Sequence, residues 1–587
     1  MKPTFNIILL ILTAITLSAQ KYDYNWFTGY SFREDTINPN FRITHWQFNT
    51  PSLNPKFSYD TFKHIDFAWA VNNMSDFDGN FLFNYNGAYL ENYKNEPIQN
   101  GALTDEQIFG KFNQTAIILP SFLSDTYNLF HKIYHSFNGI FTGAEQIFHS
   151  NITINKATDG IINFKNKKIV NDTLDLQGFN AVKHANGRDW IILDFEYNNE
   201  GYKSILFRNN SVHNINSNKL INFTENINIQ TAVSPNGKYF LVASVPNHVD
   251  STSAIISLFN FKRESGLINL VKQFYFPDSS YYNSVGVAFS PNSKYFYISR
   301  PMEIFQVEIV DSLYKLECVA KFDGFVTEPV NGFFGKTYFG FLQIAPDGRI
   351  YGTSSYAQQR YIFYINKPNL KGKACDVRQH AIKITMHSNL PTFPNYRLGP
   401  IDGSESDSLG IDNIPVAEFR YDQDTMNYRS IDFTNLSWYE PEEFWWDWGD
   451  GSPSYYSTVW DTSIIHTYAK DGIYEVCLRA KNKNGESTKC KKINIGTTAT
   501  KDEANNPLID ITLSPNPMRE ILIIQVNDYL PEKMIMNLYD LIGNKITTKR
   551  LYEGSNIINT ESFSKGVYIV EIIERDKIVT SEKIVKI

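Results

Sequence analysis

The middle of the chain repeats one pattern of apolar and polar positions. "VSPNGKYFLVAS" (Val233 to Ser244), "FSPNSKYFYIS" (Phe289 to Ser299) and "IAPDGRIYGTS" (Ile344 to Ser354) each run from an apolar residue through a small residue, Pro and Asn or Asp into an alternating strand. Asn or Asp followed by Gly tolerates positive φ, so these stretches predict hairpin turns between strands. The turn positions Gly237, Ser293 and Gly348 lie 56 and 55 residues apart. Related turns stand at "SDFDGNFLF" (Ser75 to Phe83) and "HANGRDWIIL" (His184 to Leu193), with a weaker unit at "SDTYNLFHKIYH" (Ser124 to His135). A unit of roughly 50 to 56 residues with about four short strands cannot bury its faces alone, which predicts a β-propeller blade. Residues 25–414 then form a propeller-like repeat domain of six or seven blades. Two unrelated β-domains are the alternative. A helical array is excluded, because no segment between residues 25 and 400 keeps a 3.6-residue period through three turns.

From Pro415 to Ile495 the pattern changes to short strands with frequent turns, which predicts a compact sandwich. Within it, "EFWWDWGDG" (Glu443 to Gly451) puts three tryptophans and two aspartates into nine positions. A strand has period two, so Trp446 and Trp448 share one face and are the expected core pair, while Trp445 falls on the other face and Gly449 to Gly451 form a turn. A sugar platform needs exposed coplanar rings, and a calcium loop needs about six oxygen ligands. Asp447, Asp450 and Asp461 do not form a recognisable ligand series, so calcium is a minor alternative to no cofactor at all. Residues 496–507 read as a polar linker, and 508–587 as a third, small β-sandwich.

Composition agrees with an all-β chain. Of 587 residues, 15% are aromatic and 20% charged, which suits strands that pack rings against β-branched neighbours. The length calls for several domains. A net charge of -7 without a long basic run gives no electrostatic footprint for nucleic acid. "MKPTFNIILLILTAITLSAQ" reads as a signal peptide over residues 1–19, with an apolar stretch too short to span a bilayer. No transmembrane span is expected in the mature chain.

An exported chain can oxidise its four cysteines. Cys477 and Cys490 flank "RAKNKNGESTK", a hairpin with Asn484-Gly485 near its turn, so they are expected to face each other across two strands and pair. Cys318 with Cys375 is a second possible pair that needs neighbouring blades or strands. Neither has metal-binding spacing.

Catalytic constellations are sparse. HExxH, the GxSxG elbow and phosphate-cradling Gly loops are all missing from the sequence. His131 and His135 stand four apart, but in a stretch that reads as strand and turn, where that spacing has no meaning for a metal. Asp194 and Glu196 share a strand face and are the one carboxylate pair to weigh for glycoside chemistry, against a solvated polar edge. Asp402, Asp407 and Asp412 punctuate a turn-rich loop that either holds a cation or covers the propeller.

Three resemblances add to this. "WWDWGDG" with "IIHTYAKDGIYEVCLRAKNKNG" resembles a PKD domain over residues 415–495, which implies an immunoglobulin-like extracellular spacer or interaction module. "LSPNPMREILIIQV", "MNLYDLIGNKI", "SKGVYIVEI" and "SEKIVKI" resemble the type A sorting domain of the Bacteroidota type IX secretion system. The resemblance rests on Pro515, Asn516, Pro517, Gly543, Gly566, Tyr568 and Lys586. It implies the type IX machinery as a partner, export across both membranes, and a secreted or outer-surface location. The repeat region, above all "NLPTFPNYRLGPIDGSESDSLG" (Asn389 to Gly410), is similar to Bacteroidota surface proteins that combine such repeats with both domains. There the segment after Gly-Ser often carries Pro and Cys, whereas this chain has Glu405, Ser406 and Asp407.

The sequence therefore leads to a non-catalytic surface protein that binds an extracellular protein or glycan through the propeller. A glycan-active hydrolase or lyase at the propeller channel, and a purely structural surface component, are the alternatives.

Overall fold

The computed structural model describes residues 20–587 apart from segments 30–42, 61–64, 66, 68–70, 104–113, 123–124, 138–139, 156–157, 176, 198–200, 221–225, 247–252, 278–284, 311–313, 328–334, 355–358, 388, 425–426, 461–462, 497–509, 528–533, 541–542, 553 and 575–576. The signal-peptide reading at residues 1–19 lies outside them.

Seven antiparallel meander sheets follow one another along the first two thirds of the chain. They span 25–60, 72–102, 116–174, 180–219, 226–276, 286–321 and 339–387, and we number them blades 1 to 7 in that order. Blade 1 has three strands among the described residues and each of the others four, paired in chain order. That order follows from the turn chemistry. In the Ser234 and Ser290 turns the serine Oγ accepts the N–H of Tyr239 and of Tyr295, and Asn236 and Asn292 accept from Lys238 and Lys294. The side chains thus close each hairpin locally.

Stacking the blades buries their faces in a ring. Apolar clusters join blade 1 to 2 (Phe27, Phe81) and blades 2, 3 and 4 (Phe83, Phe130, Phe207). Others join 4 to 5 (Leu193, Phe240), 5 to 6 (Leu258, Phe296) and 6 to 7 (Tyr297, Phe363). Blade 7 returns to blade 1 through Trp26, Trp46 and Tyr351, and Thr44 and Thr385 hydrogen bond across that seam at 2.7 Å. The architecture is an all-β propeller of seven blades.

After blade 7 the chain crosses back over the ring. Thr392 N–H donates to Val71, Asn395 to the Pro235 carbonyl and Tyr396 OH to the Ile118 carbonyl. Arg397 pairs with Asp23, and Pro400 forms a bridge with Asn186. This strap, residues 389–400, therefore touches blades 3, 4 and 5 and the chain just before blades 1 and 2. It is continuous with the loop of Asp402 and Asp407, whose carboxylates accept from Asn413 and from Gly403 N–H.

The next unit is a two-sheet sandwich. Strands Phe419–Gln423, Ser430–Asn435 and Ile464–Thr467 face a sheet of Tyr455–Ser457, Glu443–Asp447, Gly472–Asn482 and Gly485–Ile495. Trp446 and Trp448 are buried between them. Trp445 lies on the outer face under the Arg479 guanidinium, 4.0 Å from its ring centre. Trp448 stacks on His466 at 4.6 Å, and His466 contacts the Asp450 carboxylate at 2.8 Å. The hydrogen bonds from Ser452 and His466 outweigh partial burial and hold Asp450 down to about 2. The Gly-Asp-Gly turn thus orients the ring that covers the tryptophan core. Asp447 accepts from Gly449 N–H, and Asp461 is outside the described residues.

Cys477 and Cys490 sit opposite each other in register and are joined. Cys318 and Cys375 are free thiols, so the second possible pair is not formed. Cys318 lies half-buried on the outer strand of blade 6 with its Sγ toward the Ala320 carbonyl. Cys375 packs inward between blades 6 and 7, so the two are committed to different surroundings.

The last unit pairs sheets of three and four strands around Leu522, Met536, Leu538 and Val570. Asn516, between Pro515 and Pro517, donates to the Lys583 carbonyl and accepts from Val585 N–H. Lys586 Nζ bonds the Arg519 carbonyl. Gly543 turns at φ +89, and Tyr568, in the strand Gly566–Glu574, donates its OH to Ser564. The motif residues at 514–519 and 583–587 therefore meet in space, clamping the final strand.

Candidate functional site at the propeller and sandwich junction

The sandwich is docked on the propeller face that carries the repeated turns. Arg349, at the third of these turns, reaches Asp347 Oδ2 at 2.8 Å, Asn54 at 2.6 Å and Asp422 Oδ1 at 2.9 Å. Arg420, from the sandwich, pairs with Asp422 Oδ2 at 2.9 Å and donates to the Asp347 carbonyl at 2.6 Å. The two guanidiniums outweigh burial and hold the Asp422 carboxyl well below the usual range. Lys367 of blade 7 meets Asp432 of the sandwich at 2.6 Å. At Gly348, φ is +79 and a Cβ would stand 2.4 Å from Leu436 Cδ2 of the sandwich. Glycine is required there both by the turn and by the close approach.

Between these surfaces lies a cavity of about 240 Å³. Its walls come from the turn prolines Pro235, Pro291 and Pro346, the strap from Phe393 to Pro400, and the sandwich residues Trp438 and Trp460. The amides at its base are already engaged. Gln114 exchanges hydrogen bonds with the Thr231 backbone, each 2.8 Å. Gln230 donates to the Leu342 carbonyl at 2.6 Å and accepts from Val287 N–H at 3.1 Å, tying blades 5, 6 and 7 together.

The charges are engaged as well. Arg397 and Asp23 pair at 2.8 Å, and that pairing keeps the guanidinium charged against the cost of burial. Arg263 donates to the carbonyls of Lys183, His184 and Gly399, while burial brings its pKa down to about 10. Glu440 remains exposed at the rim. The lining mixes prolines and aromatic rings with Asn, Gln, Ser and Thr side chains, and its acidic and basic groups balance.

The carboxylates weighed for catalysis are elsewhere. Asp194 is fully buried and ion-paired with Lys132 at 2.6 Å. Glu196 contacts Lys203 at 2.9 Å. His131 is buried between Tyr85 and Phe148, and the side chain of His135 is outside the described set. No group of three or more His, Cys, Asp or Glu suited to a metal occurs among the described residues.

Comparison with known families matches two stretches after the propeller. Residues 412–496 match the family described as a PKD domain. Residues 512–587 match the secretion system C-terminal sorting domain. The chain carries a type IX sorting domain. The protein is therefore secreted or held on the outer surface of a Bacteroidota bacterium, and the type IX machinery is its partner in export. No helix among the described residues is long and apolar enough to cross a membrane.

No curated protein matches the chain. Among solved structures, one described as a 6-phosphogluconolactonase from Bacteroides uniformis is 12% identical, with 63% of this chain and 98% of that one covered and a TM-score of 0.33. PorZ, a surface component of the type IX secretion system of Porphyromonas gingivalis, is 10% identical over 93% of this chain and 73% of its own, with a TM-score of 0.19. Scores this low carry neither an activity nor a partner to this chain.

Sequence reading did not find the cavity. Its signal was present only in part, in the prolines of the repeated turns, because nothing local to Trp438 or Trp460 places either ring against the propeller.

Proposed function

We propose that this exported protein is a non-catalytic binding protein that takes its ligand in the cavity between the propeller and the PKD domain. The observation that carries the reading is the cavity's construction. Four blades, 4 to 7, the strap and the second domain all contribute walls, and the charged groups lining it, apart from Glu440 at the rim, are bonded within the protein. Ligand pockets of this kind are concave and mostly apolar, with a few polar groups that fix orientation. A hydrolase would need an acid and a base free to exchange protons. Asp194 and Glu196, each spent on a lysine, do not supply them.

The test is a binding screen of the mature protein against glycan and peptide arrays, repeated with Gln343→Trp, which adds a ring from a strand position that lines the cavity. A saturable ligand that the variant loses, and that is recovered chemically unchanged, is the expected result. Finding no saturable ligand, equal binding by the variant, or turnover of the ligand would refute the proposal.

A further inference from the structure

The charged side chains that line the junction cavity are Asp23, Arg397, Arg263 and Glu440. Asp23 and Arg397 close on each other at 2.8 Å, so their charges cancel. Arg263, just after the blade 5 strand Ala254–Lys262, is placed differently. It is 5% exposed, and its Nε and Nη2 donate only to backbone carbonyls, those of Lys183, His184 and Gly399. Carbonyl dipoles hold a guanidinium in position without neutralising it, and a buried cation without a counter-charge is costly. Of its N–H groups, both on Nη1 remain. Nη1 has no hydrogen-bond partner among the described residues, yet it is not one of the unpartnered atoms sealed from solvent. Because Arg263 is otherwise buried and lines the cavity, the accessible part of Nη1 faces that space. The stem is fixed as well: a Cβ on Gly237, in the repeated turn of blade 5, would stand 2.7 Å from Arg263 Cδ.

Glu440 supplies the opposite charge. It is exposed at the rim, and its carboxylate has no ion-pair partner among the described residues. Of the acids it acts most strongly on Arg263, although no ion pair joins them. The chain at Tyr439 and Glu440 passes through the left-handed region, φ +65 and +53, which residues with side chains rarely adopt. Asn482 Nδ2 donates to both of their carbonyls, at 3.2 and 3.4 Å. The fold therefore sets where this residue stands. An open cation in the wall and an open anion at the rim favour a ligand that carries both charges, since a simple anion would meet Glu440 and a simple cation would meet Arg263. A cavity of about 240 Å³ lies below the ~300 to 1,000 Å³ of pockets for drug-sized molecules, so the ligand is small.

We infer that the junction cavity takes a small zwitterion, an amino acid or a dipeptide, whose carboxylate meets Arg263 Nη1 and whose ammonium lies toward Glu440. This rests on the binding reading above and gives it a ligand class.

Isothermal titration calorimetry of the mature protein tests it. The probes are the common amino acids and their glycyl dipeptides, followed by the N-acetyl and C-amide forms of any that bind. At least one zwitterion is expected to bind saturably, and the two sets distinguish a free amino acid from a dipeptide. Amidating its carboxylate should weaken binding about tenfold or more, because a hydrogen bond to a buried charge is lost. N-acetylation should cost about threefold, since the rim is exposed and screened by salt. Glu440→Gln, a substitution at an exposed position, should cost about the same on the free zwitterion and nothing on the N-acetyl form. Binding indifferent to both end groups, or a Glu440→Gln effect that persists on the N-acetyl form, would overturn the inference. If no zwitterion binds while the arrays still yield a ligand that Gln343→Trp loses, the inference fails and the binding reading stands. If neither set of probes binds, both fail.

Discussion

Arg420 of the PKD domain donates its Nη1 to the backbone carbonyl of Asp347 at the tip of blade 7, 2.6 Å away, and is itself 1% exposed. The hydrogen bond joins two domains that the sequence presents as separate. Arg420→Met would remove it and one of the two guanidiniums on Asp422. We expect a loss of about 2 to 4 kcal/mol, measured by denaturant unfolding, and limited proteolysis that releases the propeller from the second domain. A variant as resistant as the parent would show that docking does not depend on this residue.

Lys132 and Asp194 form a fully buried ion pair in blades 3 and 4. Asp194→Leu leaves an ammonium without its counter-charge and is expected to cost about 3 to 5 kcal/mol, whereas Lys132→Met with Asp194→Leu should cost much less. The comparison is a double-mutant cycle in urea. Additive losses would contradict the pairing.

Burial pushes His131 down to about 3 and His149 to about 4. Both folded-state values lie below the ordinary histidine range near 6.5, so the unfolded chain binds more protons as pH falls. Their stability contribution is complete above about pH 6.5 and is lost as pH falls toward 4, by up to about 1.4 kcal/mol per unit for each histidine. His131→Phe should flatten that slope between pH 6.5 and 4.5 in denaturation curves. An unchanged slope would show that His131 titrates in the folded protein.

Thiol titration should find two reactive cysteines in the unfolded, unreduced protein. In the folded protein Cys318 should react first, because Cys375 is buried and its thiol is pushed up to about 12. Four reactive thiols would remove the Cys477 and Cys490 bridge, and none would restore the second one.

A stop codon in place of Leu508 removes the sorting domain and should leave the protein in the periplasm. Its appearance outside the cell, followed by immunoblot of medium and surface fractions, would contradict type IX export.

The blades were legible wherever their turns used Asn or Asp with Gly, because that chemistry is local. Gly237 and Gly348 mark blades 5 and 7 for this reason. Trp446 was legible because period two in a single strand decides its face. What could not be read depends on partners far along the chain. "FRYDQ" looks like any solvated strand, and only the docked fold shows Arg420 and Asp422 working against blade 7. Cys318 and Cys375 gave no local geometry to decide their pairing. Asp194 looked like a candidate acid until Lys132, 62 residues earlier, was found beside it.

The strap also governs when the fold can be finished. Tyr396 meets Ile118 across 278 residues of chain, and Arg397 meets Asp23 across 374. Contacts of such span form late, because the loops they close carry a large entropy and slow folding. The strap is thus a second clasp on the propeller beside the seam of blades 1 and 7, where Thr44 meets Thr385 across 341 residues. A fragment ended at residue 387 keeps every blade but lacks this second clasp, so a cut at the blade boundary separates parts that the molecule completes together.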